Sequence, residues 1–223
     1  VKYSMGITAM LLKRTFVSAL LIVLSFTSFA ADWKLEKSDD DLGIQVYTRA
    51  VIGSPLREFK GVTQLKSTLN AAVALAGDAA NWPNWIYAVE SAKVLEEISD
   101  QENITYSVVD IAPFVDERDN VVHTLTKQDP KTKTVTLIMT GKPDFIPVED
   151  GMVRVANLNG FWKLTPKDGG MVEVIFQVHA DPAGSLPESI VNSFVVLNPY
   201  NTLEDMHEQI DEYQGKTLAF ITE

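Results

Sequence analysis

The sequence predicts an α+β domain: a large curved antiparallel sheet closed by one long amphipathic helix at its C-terminal end. Three observations lead there. Short β-rich segments follow one another with only Gly, Pro and Asp turns between them, which implies antiparallel neighbours. Within them apolar and polar residues alternate: Val172, Val174, Phe176 and Val178 share one face, and Glu173, Gln177 and His179 the other. After Pro187 the apolar period changes from two to about 3.6, the signature of a helix with one buried stripe.

The chain opens differently. Lys13-Arg14 precedes an uncharged run from Phe16 to Phe26, and Thr27-Ser28-Phe29-Ala30-Ala31 follows. A basic start, an apolar run of about a dozen residues and small residues at Ser28 and Ala30 are the parts of a secretory signal peptide. The expectation is a signal peptide over residues 1–30, cleavage near Ala30, and a single exported domain over 31–223, periplasmic or secreted. The run is shorter than the roughly 20 residues that span a bilayer, which favours cleavage over an anchor.

Strands are expected at Ile44 to Val51 and Leu56 to Lys66, separated by the turn Gly53-Ser54-Pro55. Leu69 to Ala80, dense in Ala and Leu with Asn70 near its start, reads as a helix broken by Asn81-Trp82-Pro83-Asn84-Trp85. Strands resume at Lys93–Ile98, Ile104–Ile111, Asn120–Gln128, Thr134–Thr140, Met152–Leu164 and Met171–Ala180. In the terminal helix Ile190, Phe194 and Leu197 form one stripe, continued by Leu203, Met206, Ile210 and Tyr213. Pro199 between them lacks an N–H, so it should kink the helix or begin a new one. A sheet closed by such a helix leaves an interior that either side chains or a ligand must fill, and the pattern does not decide which.

Composition narrows the chemistry. With no cysteine, disulfides, zinc–thiolate sites and cysteine nucleophiles are excluded. The net charge is −11; without Lys2, Lys13 and Arg14 of the leader, 16 basic residues face 30 acidic ones, a balance of −14. Phosphate backbones and anionic membrane surfaces should repel such a domain, so nucleic acid is not an expected partner. No catalytic signature is present, neither G-x-S-x-G, a P-loop nor H-E-x-x-H. His207-Glu208 lacks the second histidine of a zincin, and Asp39-Asp40-Asp41 reads as a solvated loop rather than a calcium site. No catalytic residue, metal or cofactor is therefore assigned.

A further set of short motifs runs the length of the chain past Trp33. Trp33-Lys34-Leu35 precedes Leu42-Gly43-Ile44-Gln45-Val46-Tyr47-Thr48-Arg49; Phe59-Lys60-Gly61 follows; Trp82 and Trp85 stand after the first helix. Next come Pro113-Phe114-Val115 with Glu117-Arg118-Asp119, then Val153-Arg154 with Gly160-Phe161-Trp162-Lys163-Leu164-Thr165-Pro166. Asp181-Pro182-Ala183-Gly184-Ser185-Leu186-Pro187 and Asn192 lead into the last helix. In this order the motifs resemble those of START domains, the steroidogenic-acute-regulatory-protein-related lipid-transfer family, from Trp33 to about Ile210.

The resemblance implies a helix-grip fold with an internal tunnel, and a lipid or other hydrophobic small molecule as partner, with transient membrane contact. It implies binding rather than catalysis; the rivals are a cyclase- or hydrolase-like enzyme using Asp110, His123 or Arg118, and a partner-binding module whose cavity is filled by its own side chains. Candidate tunnel residues are Trp82, Trp85, Tyr106, Val108, Asp110, Arg118, Arg154, Trp162, Phe176, Ile190 and Phe194. The aromatic ones read equally as core, since pocket wall and core are chemically alike. Arg118 offers a donor fork to a carboxylate or phosphate, but it and Arg154 also read as ties for loops, which is the preferred reading. Asp110 either ends a strand in water or orients a polar group.

Overall fold

A computed structural model describes residues 32–223; the signal-peptide expectation falls outside them. Ten strands form one sheet: β1 (Lys34–Asp39), β2 (Ile44–Ala50), β3 (Arg57–Lys66), β4 (Val89–Ser99), β5 (Glu102–Val109), β6 (Arg118–Gln128), β7 (Val135–Gly141), β8 (Val153–Arg154), β9 (Asn157–Lys167) and β10 (Met171–Asp181). The order across it is β1-β2-β3-β10-β9-β7-β6-β5-β4, antiparallel throughout, while β8 pairs parallel with β6. The chain thus crosses from β3 to the far edge through helix α1 (Leu69–Gly77) and a 3₁₀ turn (Ala79–Asn84), then winds back until β10 meets β3. Helix α2 (Glu188–Gln209) lies against β3, β2 and β1. Among the described residues no helix is long and apolar enough to cross a membrane.

The expected strands and first helix are present, with three differences. The stretch read as one strand from Met152 to Leu164 is two. Val153 and Val155 donate their N–H groups to the carbonyls of Glu117 and Asp119 on the β6 side, whereas Ala156 donates to Asp181 on β10. The backbone changes partners between residues 155 and 156, and local apolar content carries no trace of that. β1 escaped the sequence reading because its KLEKSD run is charged and lacks alternation, as suits an edge strand guarded against further pairing. Helix α1 stops at Gly77, and its N-cap is Thr68, whose hydroxyl accepts from the Ala71 N–H at 3.1 Å. Asn70 lies inside the helix, bonded at 2.7 Å to Glu223, whose carboxylate also accepts the Leu69 and Asn70 N–H groups. An acid at the positive end of a helix is favourable there.

Helix α2 runs unbroken through Pro199. Its C-terminal half is sealed onto the sheet: Leu203 and Met206 are fully buried, as is Thr202. Gly61 permits the approach, since a Cβ at that position would stand 2.7 Å from Leu203 Cδ1 and 3.1 Å from Pro199 Cβ. His207 ties the same end down, with Nε2 2.8 Å from Thr63 Oγ1. The Thr63 hydroxyl donates its proton to Leu42 O at 2.9 Å, so Nε2 is the donor in this pair and the neutral tautomer is protonated there. Next to it, Tyr200 donates to Asp39 at 3.1 Å, joining α2 to the β1–β2 turn. Asp39 also accepts from the Asp41 and Leu42 N–H groups, so the acidic triplet is built as a turn.

Two outcomes follow from this seam. Gly61→Val is expected to destabilise the domain by about 1–3 kcal/mol through overpacking against α2, read as a lowered denaturation midpoint; an unchanged midpoint would refute the close approach. Burial holds the His207 pKa below its usual 6.5, against the opposing pull of Asp39. The unfolded chain therefore binds a proton that the folded chain resists. Stability should be full above about pH 6.5 and decline as pH falls below it, and His207→Gln should flatten that decline in denaturant titrations at pH 7 and pH 5.5.

Candidate functional site: an apolar cavity beneath the terminal helix

The N-terminal half of α2 stands off from the sheet, and a cavity of about 190 Å³ lies between them. Val191, Phe194, Val195 and Asn198 form its roof, spaced i, i+3, i+4, i+7 as one helical face. The floor is the inward face of the sheet: Phe59 on β3, Val122 on β6, Met139 on β7, Trp162 on β9, and Phe176 with Val178 on β10. Trp82 and Ile86 close one side. The opposite mouth is bounded by Ile111 after β5 and by Pro182 and Leu186 before α2.

An aromatic stack rigidifies the floor. Trp162 and Phe176 lie parallel with centroids 3.9 Å apart, Phe59 meets Phe176 edge-on at 5.1 Å, and Trp85 backs Trp162 at 5.8 Å. Such contacts add about 0.5–1.5 kcal/mol each beyond the area they bury. The polar wall residues are few: Arg57, Ser107, Arg118, Asn120 and Asn198. Arg57 is already engaged, donating to Thr48 at 2.9 Å. Asn198 donates to Tyr87 O at 3.2 Å.

Of the residues picked from the sequence, Trp82, Arg118, Trp162, Phe176 and Phe194 are walls of this cavity. The other six are not. Trp85 sits one layer behind Trp162, fully buried. Tyr106 and Val108 lie on the outer face of β5, because Ser107 and Val109, the residues of opposite phase, face inward. There they pack with Ile104 and Val121 in a second small core covered by Ile146 and Met152. Burial and the neighbouring Asp119 and Glu149 charges push the Tyr106 hydroxyl up to about 12. Asp110 follows β5 and is held by its backbone N–H to Ala88 O at 2.9 Å, away from the wall. Ile190 is displaced from the roof by Val191, a shift of one residue in the helical stripe. His123 faces outward and binds Glu102 at 2.7 Å, so Asp110, His123 and Arg118 are not gathered into one site.

Arg154 is the sixth. Its guanidinium forms a two-pronged pair with Asp119, 2.8 and 2.9 Å long, and also donates to Pro143, Ile146 and Pro147 carbonyls. Every donor is thereby used in pinning the loop of residues 142–152 over the outer face of the sheet. Asp119 raises the Arg154 pKa by accepting these bonds, with burial opposing. Removing one member of such a buried pair strands the other without water or counter-charge, at a cost of about 3–5 kcal/mol. Arg154→Met should therefore lower stability by that order in chemical denaturation, and a loss below about 1 kcal/mol would contradict the tie.

Phe59, Val122, Met139, Leu158, Ser107, Asn120 and Asn198 are walls that the sequence reading did not single out. The signal was available in part: Asn120 and Val122 repeat the phase of Arg118 along β6. Nothing local distinguished the inward phase from the outward one.

A curved antiparallel sheet gripping a terminal helix across an apolar cavity defines the helix-grip class. The family model for the START domain matches residues 19–214. An uncharacterized protein of Pseudomonas aeruginosa is 36% identical over 204 residues, covering 91% of this chain and 98% of its own. The crystal structure of the STAR-related lipid transfer protein (fragment 25–204) from Xanthomonas axonopodis superposes with a TM-score of 0.73 at 34% identity, covering 80% of this chain and 98% of that one. Human StAR-related lipid transfer protein 5 shares the fold alone, with a TM-score of 0.71 at 18% identity over 84% of this chain and 89% of its own. The chain belongs to the START domain family.

Proposed function

We propose that this domain binds a lipid or similar hydrophobic molecule in the cavity beneath α2 and carries it through an aqueous compartment outside the cytoplasm, without catalysing a reaction. The single observation that carries the reading is the cavity itself, walled by Phe59, Trp162, Phe176 and Phe194 and open enough to leave the first half of α2 unsealed. Apolar surface withdrawn from water contributes about 25 cal/mol per Å². A chain of roughly a dozen methylenes is worth about 10 kcal/mol before ordering costs. Membership of the START family and the similarity to a Xanthomonas STAR-related lipid transfer protein support the same ligand class. A binding role rather than an enzymatic one is supported by the wall, which among the described residues contains no carboxylate and no imidazole.

The compartment is read from the leader over residues 1–30, with the domain from residue 31 onward released after it. Uptake requires α2 or a neighbouring loop to part. Gly184, at a φ of +64° where glycine is the unstrained residue, stands in the loop that leads into α2 and is a suitable hinge. Across the mouth, Phe114 projects fully exposed from the loop between β5 and β6, three residues beyond Ile111 at the cavity edge. A large apolar side chain held in water at the mouth suits brief membrane contact.

Organic extraction of the purified protein, with native mass measurement, tests the reading. A stoichiometric lipid is expected, and a chain that stays empty across fatty acids, phospholipids and isoprenoids would defeat it. Met139→Trp should fill the cavity floor and reduce bound lipid by at least half, with thermal stability retained.

A further inference from the structure

Arg118 differs from every other arginine in the described domain. It is 2% exposed, yet no acid forms an ion pair with it among the described residues. Its hydrogen bonds go to neutral backbone carbonyls: Nε to Pro182 O at 3.5 Å, and Nη1 to Asp116 O. These hydrogen bonds leave Nη2 without a partner among the described residues, and Arg118 is a residue of the cavity wall. Beside this nitrogen stands Gly184, where a Cβ would make ordinary contact at 3.5 Å; its φ of +64°, not lack of space, calls for glycine. Burial lowers the Arg118 pKa from its usual range, with Asp116 opposing, but a guanidinium stays cationic across physiological pH. A buried cation without a counter-charge is unfavourable, and an anion arriving in the cavity would relieve it.

Two polar neighbours share the inward face. Asn120 lies two residues along β6, and Ser107 is its cross-strand partner on β5. Neither side chain has a hydrogen-bond partner among the described residues, and both line the cavity. The amide and hydroxyl donors therefore stand beside the guanidinium in a wall whose other polar residues, Arg57 and Asn198, already have partners. On the reading that the cavity houses a lipid, on which this step rests, we infer that Arg118, Asn120 and Ser107 form a head-group subsite. It selects an anionic oxygen group, a carboxylate or a phosphate, on a lipid whose hydrocarbon extends along Trp162 and Phe176. Charge-assisted hydrogen bonds are roughly twice as strong as neutral ones, and the low dielectric of the cavity strengthens them further.

The protein, stripped of lipid, is titrated with oleate, oleoyl lysophosphatidate, oleyl alcohol and inorganic phosphate, following the fluorescence of Trp82 and Trp162 in the wall. Oleate and the lysophosphatidate should bind roughly tenfold or more tighter than the alcohol, and inorganic phosphate should leave the signal unchanged. Arg118→Gln should erase the margin between acid and alcohol while leaving alcohol binding as it was, and Arg118→Lys should keep part of it. The inference is overturned if wild-type protein binds alcohol as tightly as acid, or if Arg118→Gln weakens both alike. Inorganic phosphate binding as tightly as the lysophosphatidate would make a free anion the ligand and remove the lipid head group. The wild-type comparison needs no variant, so a poorly folding Arg118→Gln leaves the test intact. Binding of the alcohol with no preference for acid overturns only the subsite; binding of no acyl probe overturns lipid binding and this inference together.

Discussion

The contact between Gly61 and the Pro199–Leu203 turn of α2 sets the geometry on which the rest of the molecule depends. Where glycine removes the side chain from the sheet, the helix descends until Leu203 and Met206 are wholly buried. A helix fastened that closely to a curved sheet at one end leaves its other end standing away from it. The gap beneath Val191, Phe194 and Val195 is that other end. The cavity is thus a consequence of where the helix is fastened, and the fastening residues (Gly61, Thr63, His207, Asp39 and Tyr200) are not themselves part of the wall they make possible.

Adjacent residues of β6 show how a strand divides labour between its faces. Asp119 points outward, is completely buried, and is matched by Arg154 with every donor of that guanidinium used. Arg118 points inward and meets only carbonyls. The outer pair is closed chemistry: its charges satisfy each other and hold the loop of residues 142–152. The inner charge is open chemistry, facing a void with few other polar groups. The same separation keeps Arg118 and His123 apart, since His123 shares the outward phase of Asp119 and binds Glu102 there.

A fold does not by itself fix a ligand, so this sheet and helix state little beyond the presence of a protected apolar space. What individualises a member is the handful of polar groups that reach the wall. In this chain Ser107, Arg118 and Asn120 are gathered on β5 and β6, with Arg118 bonded to Pro182 at the mouth, while Arg57 lies on β3 and Asn198 on α2. The walls opposite them, on β9 and β10, are held rigid by stacked aromatic rings, so a bound molecule would meet a preformed surface at one side and a movable helix at the other.

The sequence by itself determined the elements: antiparallel strands from alternation and turn residues, a long terminal helix from the change of period, and the inner face of β10 from Val172 to Val178. It also determined that Trp162, Phe176 and Phe194 share an apolar interior. These are local properties, because period and turn chemistry act over a few residues. Tertiary structure alone decided which face of β5 and β6 is inside. Tyr106, Val108 and Arg154 are as apolar or as well motivated as their neighbours, yet they fall on the outer face because the loop of residues 142–152 covers it and makes a second core. Both faces of those strands are buried, so alternation carries no sign of direction. Likewise the break between Val155 and Ala156, the roof shift from Ile190 to Val191, and the different fates of Arg118 and Arg154 are set by which partner stands across the sheet. That information lies at long range, and no window of sequence contains it.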